Sequence, residues 1–175
     1  MLLALALLAL ALPLKAEERG GSLVAEPAFL VPMGSMGRNY AASLGYALDF
    51  DMPFSSLLSA DFGADYTEMP SRPQIPDSRL QLIPTWLGVK VKRQWQPSVE
   101  YYGEVLAECI YQRSYAVGQG SSQELTTGGI GLAAGYDWWL SRWLLVGIEG
   151  RGTGITSNRR IHPFAQLGLR LGWRQ

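Results

Sequence analysis

Hydrophobic and polar positions alternate along most of this chain, most plainly between Thr127 and Arg151. Ile130, Leu132, Ala134, Tyr136 and Trp138 are separated by Gly131, Ala133, Gly135 and Asp137. After Trp139–Arg142 the rule resumes: Leu144, Val146 and Ile148 alternate with Leu145, Gly147, Glu149 and Arg151. A period of two is a strand whose faces meet different surroundings. Two such strands joined by a short turn form an antiparallel hairpin. One face is bulky and apolar, and the other is tiny or charged.

The same design predicts six more strands. Leu23–Met33 turns Val24, Glu26, Ala28 and Leu30 one way, although Pro27 removes a ladder hydrogen bond. Leu44, Tyr46, Leu48, Phe50 and Met52 alternate with Ser43, Gly45, Ala47, Asp49 and Asp51. Leu58, Ala60, Phe62, Ala64 and Tyr66 alternate with Ser59, Asp61, Gly63, Asp65 and Thr67. Ile83–Lys92 sets Trp86, Gly88, Lys90 and Lys92 opposite the β-branched and leucine positions, and Val99–Tyr111 does the same with Glu100, Tyr102, Glu104, Leu106 and Glu108. Phe164–Trp173 closes the series with Gln166, Gly168, Arg170 and Gly172 on its small and charged face. The connections are a short loop at Ser35–Asn39, turns at Pro53–Ser56 and Arg93–Ser98, and long loops at Glu68–Arg79, Arg113–Thr126 and Gly154–His162.

Eight strands of about ten residues, with longer connections after odd strands and short turns after even ones, fit a barrel that crosses a bilayer. The fold expected is all-β: an eight-stranded antiparallel up-and-down transmembrane β-barrel. A soluble lipocalin-like barrel would also alternate, with its apolar face inward. Its outer face would then be Gly45, Ala47, Gly63, Gly88, Gly131, Gly135, Gly147, Gly168 and Gly172. Bare glycine weakens a solvated strand for no packing gain, whereas a narrow eight-stranded interior needs small residues. The bulky face carries no charge from Leu44 to Met52, Leu58 to Tyr66 or Ala165 to Trp173, and has aromatics towards its ends, as a lipid–water boundary requires.

Composition adds an address. Residues 2–12 are only Leu and Ala, too short a run to span a bilayer as a helix, and Pro13 and Leu14-Lys15-Ala16 follow. Residues 1–16 read as a secretory signal peptide and 17–175 as the barrel domain, with Glu17 as the expected mature N-terminus. Basic and acidic residues both number 15, so bulk charge does not point to nucleic acid. Cys109 is alone, which excludes an internal disulfide.

The signal, the eight strands, the stretch GGIGLAAGYDWWLSRWLLVGIEGRG (128–152) and the final FAQLGLRLGW (164–173) together resemble the OmpA/OmpX-like superfamily of small outer-membrane β-barrel proteins. The resemblance covers the whole mature chain and is one of pattern. It implies the outer membrane of a Gram-negative-type bacterium, contact with outer-membrane lipid and lipopolysaccharide, delivery by the barrel-insertion machinery, and a monomer. Such chains usually end in an aromatic residue, and this one departs from them in ending Trp173-Arg174-Gln175.

Chemistry, if any, would sit among the inward charges. Glu26, Asp49, Asp51, Asp61, Asp65, Glu100, Glu104, Glu108, Asp137 and Glu149 face Lys90, Lys92, Arg151 and Arg170. Unpaired buried charge is costly, so these groups are expected to pair, or to neutralise, in a structural network filling the lumen. Lys90 and Lys92 should meet Glu100, Tyr102 or Glu104 across one hairpin. Glu104 should pair with Lys90 or Arg151, while Asp51, Asp137 and Lys92 stay hydrated at the periplasmic rim. No spacing matches a metal loop, and no cofactor motif is present. His162, the single histidine, has Ser157 five residues before it and Glu149 on the preceding strand, but matches no catalytic motif. Arg72, Arg79, Arg159 and Arg160 fall in outer loops, where arginine suits phosphate, although ordinary solvated loop charge is the favoured reading. The expectation is a structural or surface-interaction protein without catalysis. The alternatives are a small-solute or apolar-ligand channel, suggested by inward Trp86, Tyr102 and Leu106, and, third, a lipid-modifying enzyme.

Overall fold

A barrel can bury its polar ladder in lipid only if no strand edge is left open, and this chain closes completely. The computed structural model describes residues 20–73, 78–116, 122–157 and 160–174. The signal-peptide expectation for residues 1–16, and Arg159, lie outside them. The strands are β1 (Ser22–Pro32), β2 (Ser43–Pro53), β3 (Leu58–Pro70), β4 (Ser78–Gln96), β5 (Val99–Ala116), β6 (Ser122–Trp139), β7 (Leu144–Ser157) and β8 (Arg160–Arg174), and one short helix, α1 (Gly34–Asn39), links β1 to β2. Each strand pairs antiparallel with its sequence neighbours, and β1 with β8, in a closed barrel. The end bearing Ser22, Arg174 and the short turns is the periplasmic end, the orientation such barrels adopt, and α1 lies at the outer end.

The faces fall where alternation puts them. In β1 every even-numbered residue from Ser22 to Pro32 is buried and every odd one exposed. Leu132, Leu167 and Leu169 are more than 60% exposed, in the middle of an apolar belt that only lipid can cover. Phe50 and Phe62, Tyr101 and Tyr136, and Trp143 and Trp173 pair as rings on the periplasmic side of that belt. Inside, small and large residues interlock. Glu104 leans over Gly88, Tyr102 over Gly135 and Glu26 over Gly168, so close that a Cβ at any of these glycines would collide with them.

Five expectations about connections need correction. The Arg93–Ser98 turn narrows to Pro97-Ser98, because β4 runs to Gln96. Ser35–Asn39 is not an open loop: Gly34 takes a positive φ of 57°, which suits glycine, and the chain winds into α1. Most of Arg113–Thr126 is strand, because β5 runs to Ala116 and β6 starts at Ser122. Glu68–Arg79 and Gly154–His162 shrink likewise, to the gaps between Pro70 and Ser78 and between Ser157 and Arg160. Once a hairpin is nucleated its ladder continues into water, where neither face need be apolar, so alternation no longer marks it. The result is a β5–β6 hairpin that stands beyond the barrel. Ser122–Gly128 of β6 lie outside the β7 ladder, which begins at Gly129 and Ile155.

Leu132→Arg and Leu169→Arg should each destabilise the barrel by about 2–4 kcal/mol, the weight of an arginine near the bilayer midplane. Leu125→Arg, at a position that has lumen-side parity but is 47% exposed in the protruding hairpin, should change stability by less than about 0.5 kcal/mol. Urea titrations of protein folded in lipid vesicles measure all three. Equal losses would mean that the hairpin is membrane-embedded.

Candidate functional site

The lumen has two layers. The outer one is apolar: Leu30, Met69, Leu80, Leu82, Ile110, Ile155 and Phe164 point inward from six strands, and Met36 of α1 drops into the cluster from above. Tyr40 packs against it and lies 3.5 Å from the Ser114 hydroxyl. The α1 segment is tied down by the Met33 N–H donating to Pro163 O at 3.0 Å and the Arg72 N–H donating to Asn39 O at 2.8 Å.

Beneath the plug lies the charge network. Ten of the chain's 15 carboxylates are buried here, against Lys90, Arg151 and Arg170, with Lys92 half-buried below them. Lys90 reaches Asp61 at 3.1 Å and Glu104 at 3.7 Å, while the Trp86 indole N–H donates to the other Asp61 oxygen at 2.8 Å. Arg151 donates from Nε and Nη2 to Glu149 Oε1 at 3.1 and 2.8 Å, and its guanidinium lies 4.0 Å from the centre of the Trp86 ring. Arg170 is the hub. It pairs with Glu149, which also accepts from the Tyr102 hydroxyl at 2.7 Å. It stands 3.2 Å from Asp137, 3.4 Å from Asp49 and 3.9 Å from Glu26. Higher up, Thr153 donates to Glu108 at 2.8 Å and Thr67 to Asp65 at 3.2 Å. At the periplasmic mouth Lys92 pairs with Asp51, and the Trp139 indole donates to Glu100 at 3.2 Å.

Lys90 stands opposite Glu104 in the β4–β5 ladder, and Lys92 opposite Tyr102. Asp51 and Asp137 are buried, against the expectation that they stay hydrated at the rim. Asp137 is drawn inward by Arg170, and Asp51 is covered by Lys92. Trp86 and the threonines were not expected as partners, and Tyr102 was expected beside the lysines rather than as a donor to Glu149, because only register aims their polar tips at carboxylates. His162 does not meet Glu149, which is fully engaged below. Its Nδ1 lies 2.9 Å from the Ser35 hydroxyl of α1, a contact spanning 127 residues. Among the described residues no cluster of three or more His, Cys, Asp or Glu side chains is placed to hold a metal ion.

At the outer end Arg79 pairs with Glu68, and this hydrogen bond holds the Glu68 carboxyl below the usual carboxylate range. Arg113 sits 3.6 Å from Glu124 across the protruding hairpin. Arg38 and Arg72 lie at the same rim, and Arg160, expected in a loop, opens β8 there.

A lipid-facing apolar belt around a closed, side-chain-filled eight-stranded cylinder defines a small transmembrane β-barrel of the outer-membrane type. The solved structures that it resembles have that fold. Neisserial surface protein A (NspA) is 18% identical with a TM-score of 0.68, over 90% of this chain and 98% of that one. OprG from Pseudomonas aeruginosa is 12% identical with a TM-score of 0.65, over 89% and 96%. Ail, the attachment invasion locus protein of Yersinia pestis, is 13% identical with a TM-score of 0.56, over 90% and 97%. No family model matches the chain, and no curated protein matches it by sequence.

Lys90→Met should destabilise the barrel by about 3–5 kcal/mol, because Asp61 and Glu104 would lose their buried cation. Adding Asp61→Asn should restore part of the loss. Lys92→Met, nearer water, should cost less. Urea midpoints in lipid vesicles rank the variants, and a Lys90→Met barrel as stable as wild type would remove Lys90 from the network.

Proposed function

We propose that this barrel is a surface-interaction protein of the outer membrane, with a lumen closed by side chains and an outer rim that recognises anionic saccharide. The observation that carries the reading is where charge sits. Acidic residues are drawn into the lumen, so a chain of zero formal net charge shows a basic outer end. Arg38, Arg72, Arg79 and Arg113 lie at that end, together with the carboxylates Glu68 and Glu124. Arginine's planar fork suits phosphate and sulfate, and lipopolysaccharide phosphates lie at this depth of the membrane. The β5–β6 hairpin extends that surface, and its unladdered β6 edge can accept an extended partner strand. Ail has been crystallised with the heparin analogue sucrose octasulfate, which makes a sulfated sugar a suitable probe.

A channel reading has less support. Trp86, Tyr102 and Leu106, which could have lined an apolar path, are each 5% exposed or less and fill the lumen between the charges. An eight-stranded interior leaves no water column beside them.

Two measurements test this. Folded protein should be retained on immobilised heparin at low salt and released as salt rises. Arg38→Gln/Arg72→Gln should elute earlier, and no retention at low salt would overturn the saccharide reading. In planar bilayers the wild type should show no steady ohmic conductance. A stable conductance would refute the closed lumen and favour a cation-preferring channel.

A further inference from the structure

A second surface lies on the lipid-facing wall at the opposite end of the barrel. On the periplasmic side of β4–β6 the wall holds an open depression of about 520 Å³ lined by Arg93, Gln94, Trp95, Tyr101 and Tyr136. Arg93 is exposed on the outward face of β4, in register with Tyr101, which is in register with Tyr136. Trp95 is 72% exposed beside them, close to the turn that follows Gln96. An outward guanidinium ringed by amphipathic aromatics, at the level where strands leave the bilayer, is built for a headgroup.

The next row towards the bilayer centre is bare. Gly103 of β5 pairs with Ala134 of β6, which pairs with Gly150 of β7. A Cβ on Gly103, Gly150 or Gly152 would meet nothing within 4 Å, so the wall is sunken there, between Val91 of β4 and Leu167 of β8. Glycine inside the barrel makes room for a neighbouring side chain. On the lipid face no protein atom uses the space. The trough begins directly beside Tyr101 and Tyr136, so one molecule can lie across both features.

We propose that this face binds one glycerophospholipid of the periplasmic leaflet, its phosphate on Arg93, its glycerol between Trp95 and the two tyrosines, and an acyl chain in the Gly103–Ala134–Gly150 trough. Charge complementarity selects a phosphate over a neutral lipid. The position, far from the outer rim, selects the periplasmic leaflet over lipopolysaccharide. The inference is independent of the saccharide reading, which concerns the other end.

Native mass spectrometry of the folded barrel in non-ionic detergent tests it, with phosphatidylglycerol and a diacylglycerol of the same chains as probes. The wild type should retain one phosphatidylglycerol and little diacylglycerol. Arg93→Gln should weaken retention about tenfold. Gly103→Leu, which fills the trough with a side chain that lipid tolerates, should do the same without loss of folding, checked by heat-shifted mobility on gels. Arg113→Gln, at the outer end, should have no effect. Equal retention of the two lipids, or an Arg93→Gln variant that binds as wild type does, would overturn the proposal. So would displacement of the lipid by millimolar inorganic phosphate, which would mark a free-anion site instead.

Discussion

Arg170 is the constraint around which the interior is arranged. It is 1% exposed, and a guanidinium so far from water must be matched by carboxylates that are themselves buried. Glu26 on β1, Asp49 on β2, Asp137 on β6 and Glu149 on β7 all turn towards it, from four different strands. A one-residue slip at any of these strands would point the carboxylate at lipid and an uncharged neighbour at Arg170. The hub therefore specifies register as well as filling space. Lys90 does the same on the opposite wall, tying β3 to β5 through Asp61 and Glu104.

The two-layer lumen follows from the same economy of space. Charges occupy the periplasmic half, where Lys92 and Glu100 connect them to water. The outer half is apolar and capped by Met36, so the network meets no open outer mouth. Drawing acids inward also shapes the outside. Among the described residues the rim holds more arginine than carboxylate, because most of the chain's acids lie elsewhere. Lumen and surface are thus two results of one partition.

Much of the fold was legible in the sequence because lipid enforces it. Leu44–Met52 and Ala165–Trp173 could be assigned a face residue by residue, since any error would place charge in hydrocarbon. Where water replaces lipid, the enforcement ends. Ser122-Gln123-Glu124-Leu125-Thr126-Thr127 is strand although it reads as loop, because both its faces are wet. The inward charges were legible as a set, and Lys90 with Glu104 as neighbours in one hairpin. The Trp86–Asp61 and Tyr102–Glu149 hydrogen bonds were not, since they depend on how far strands slide past one another around the closed cylinder. The Ser35–His162 contact was hidden for another reason. It needs α1 to fold inward, and nothing periodic marks a six-residue helix.

Pro27 gives the closing seam its own character. It sits in β1 without an N–H, and the β1–β8 ladder skips Glu26 and Pro27, while the β1–β2 ladder runs through them unbroken. β1 and β8 are the two ends of the sheet in chain order, so their pairing is the one that closes the cylinder. An interrupted backbone zipper therefore lies at the closing seam. Across that same gap Arg170 of β8 faces Glu26 of β1. The seam is latched from within by charge where the backbone leaves it open, which makes an interior ion pair part of how the cylinder shuts.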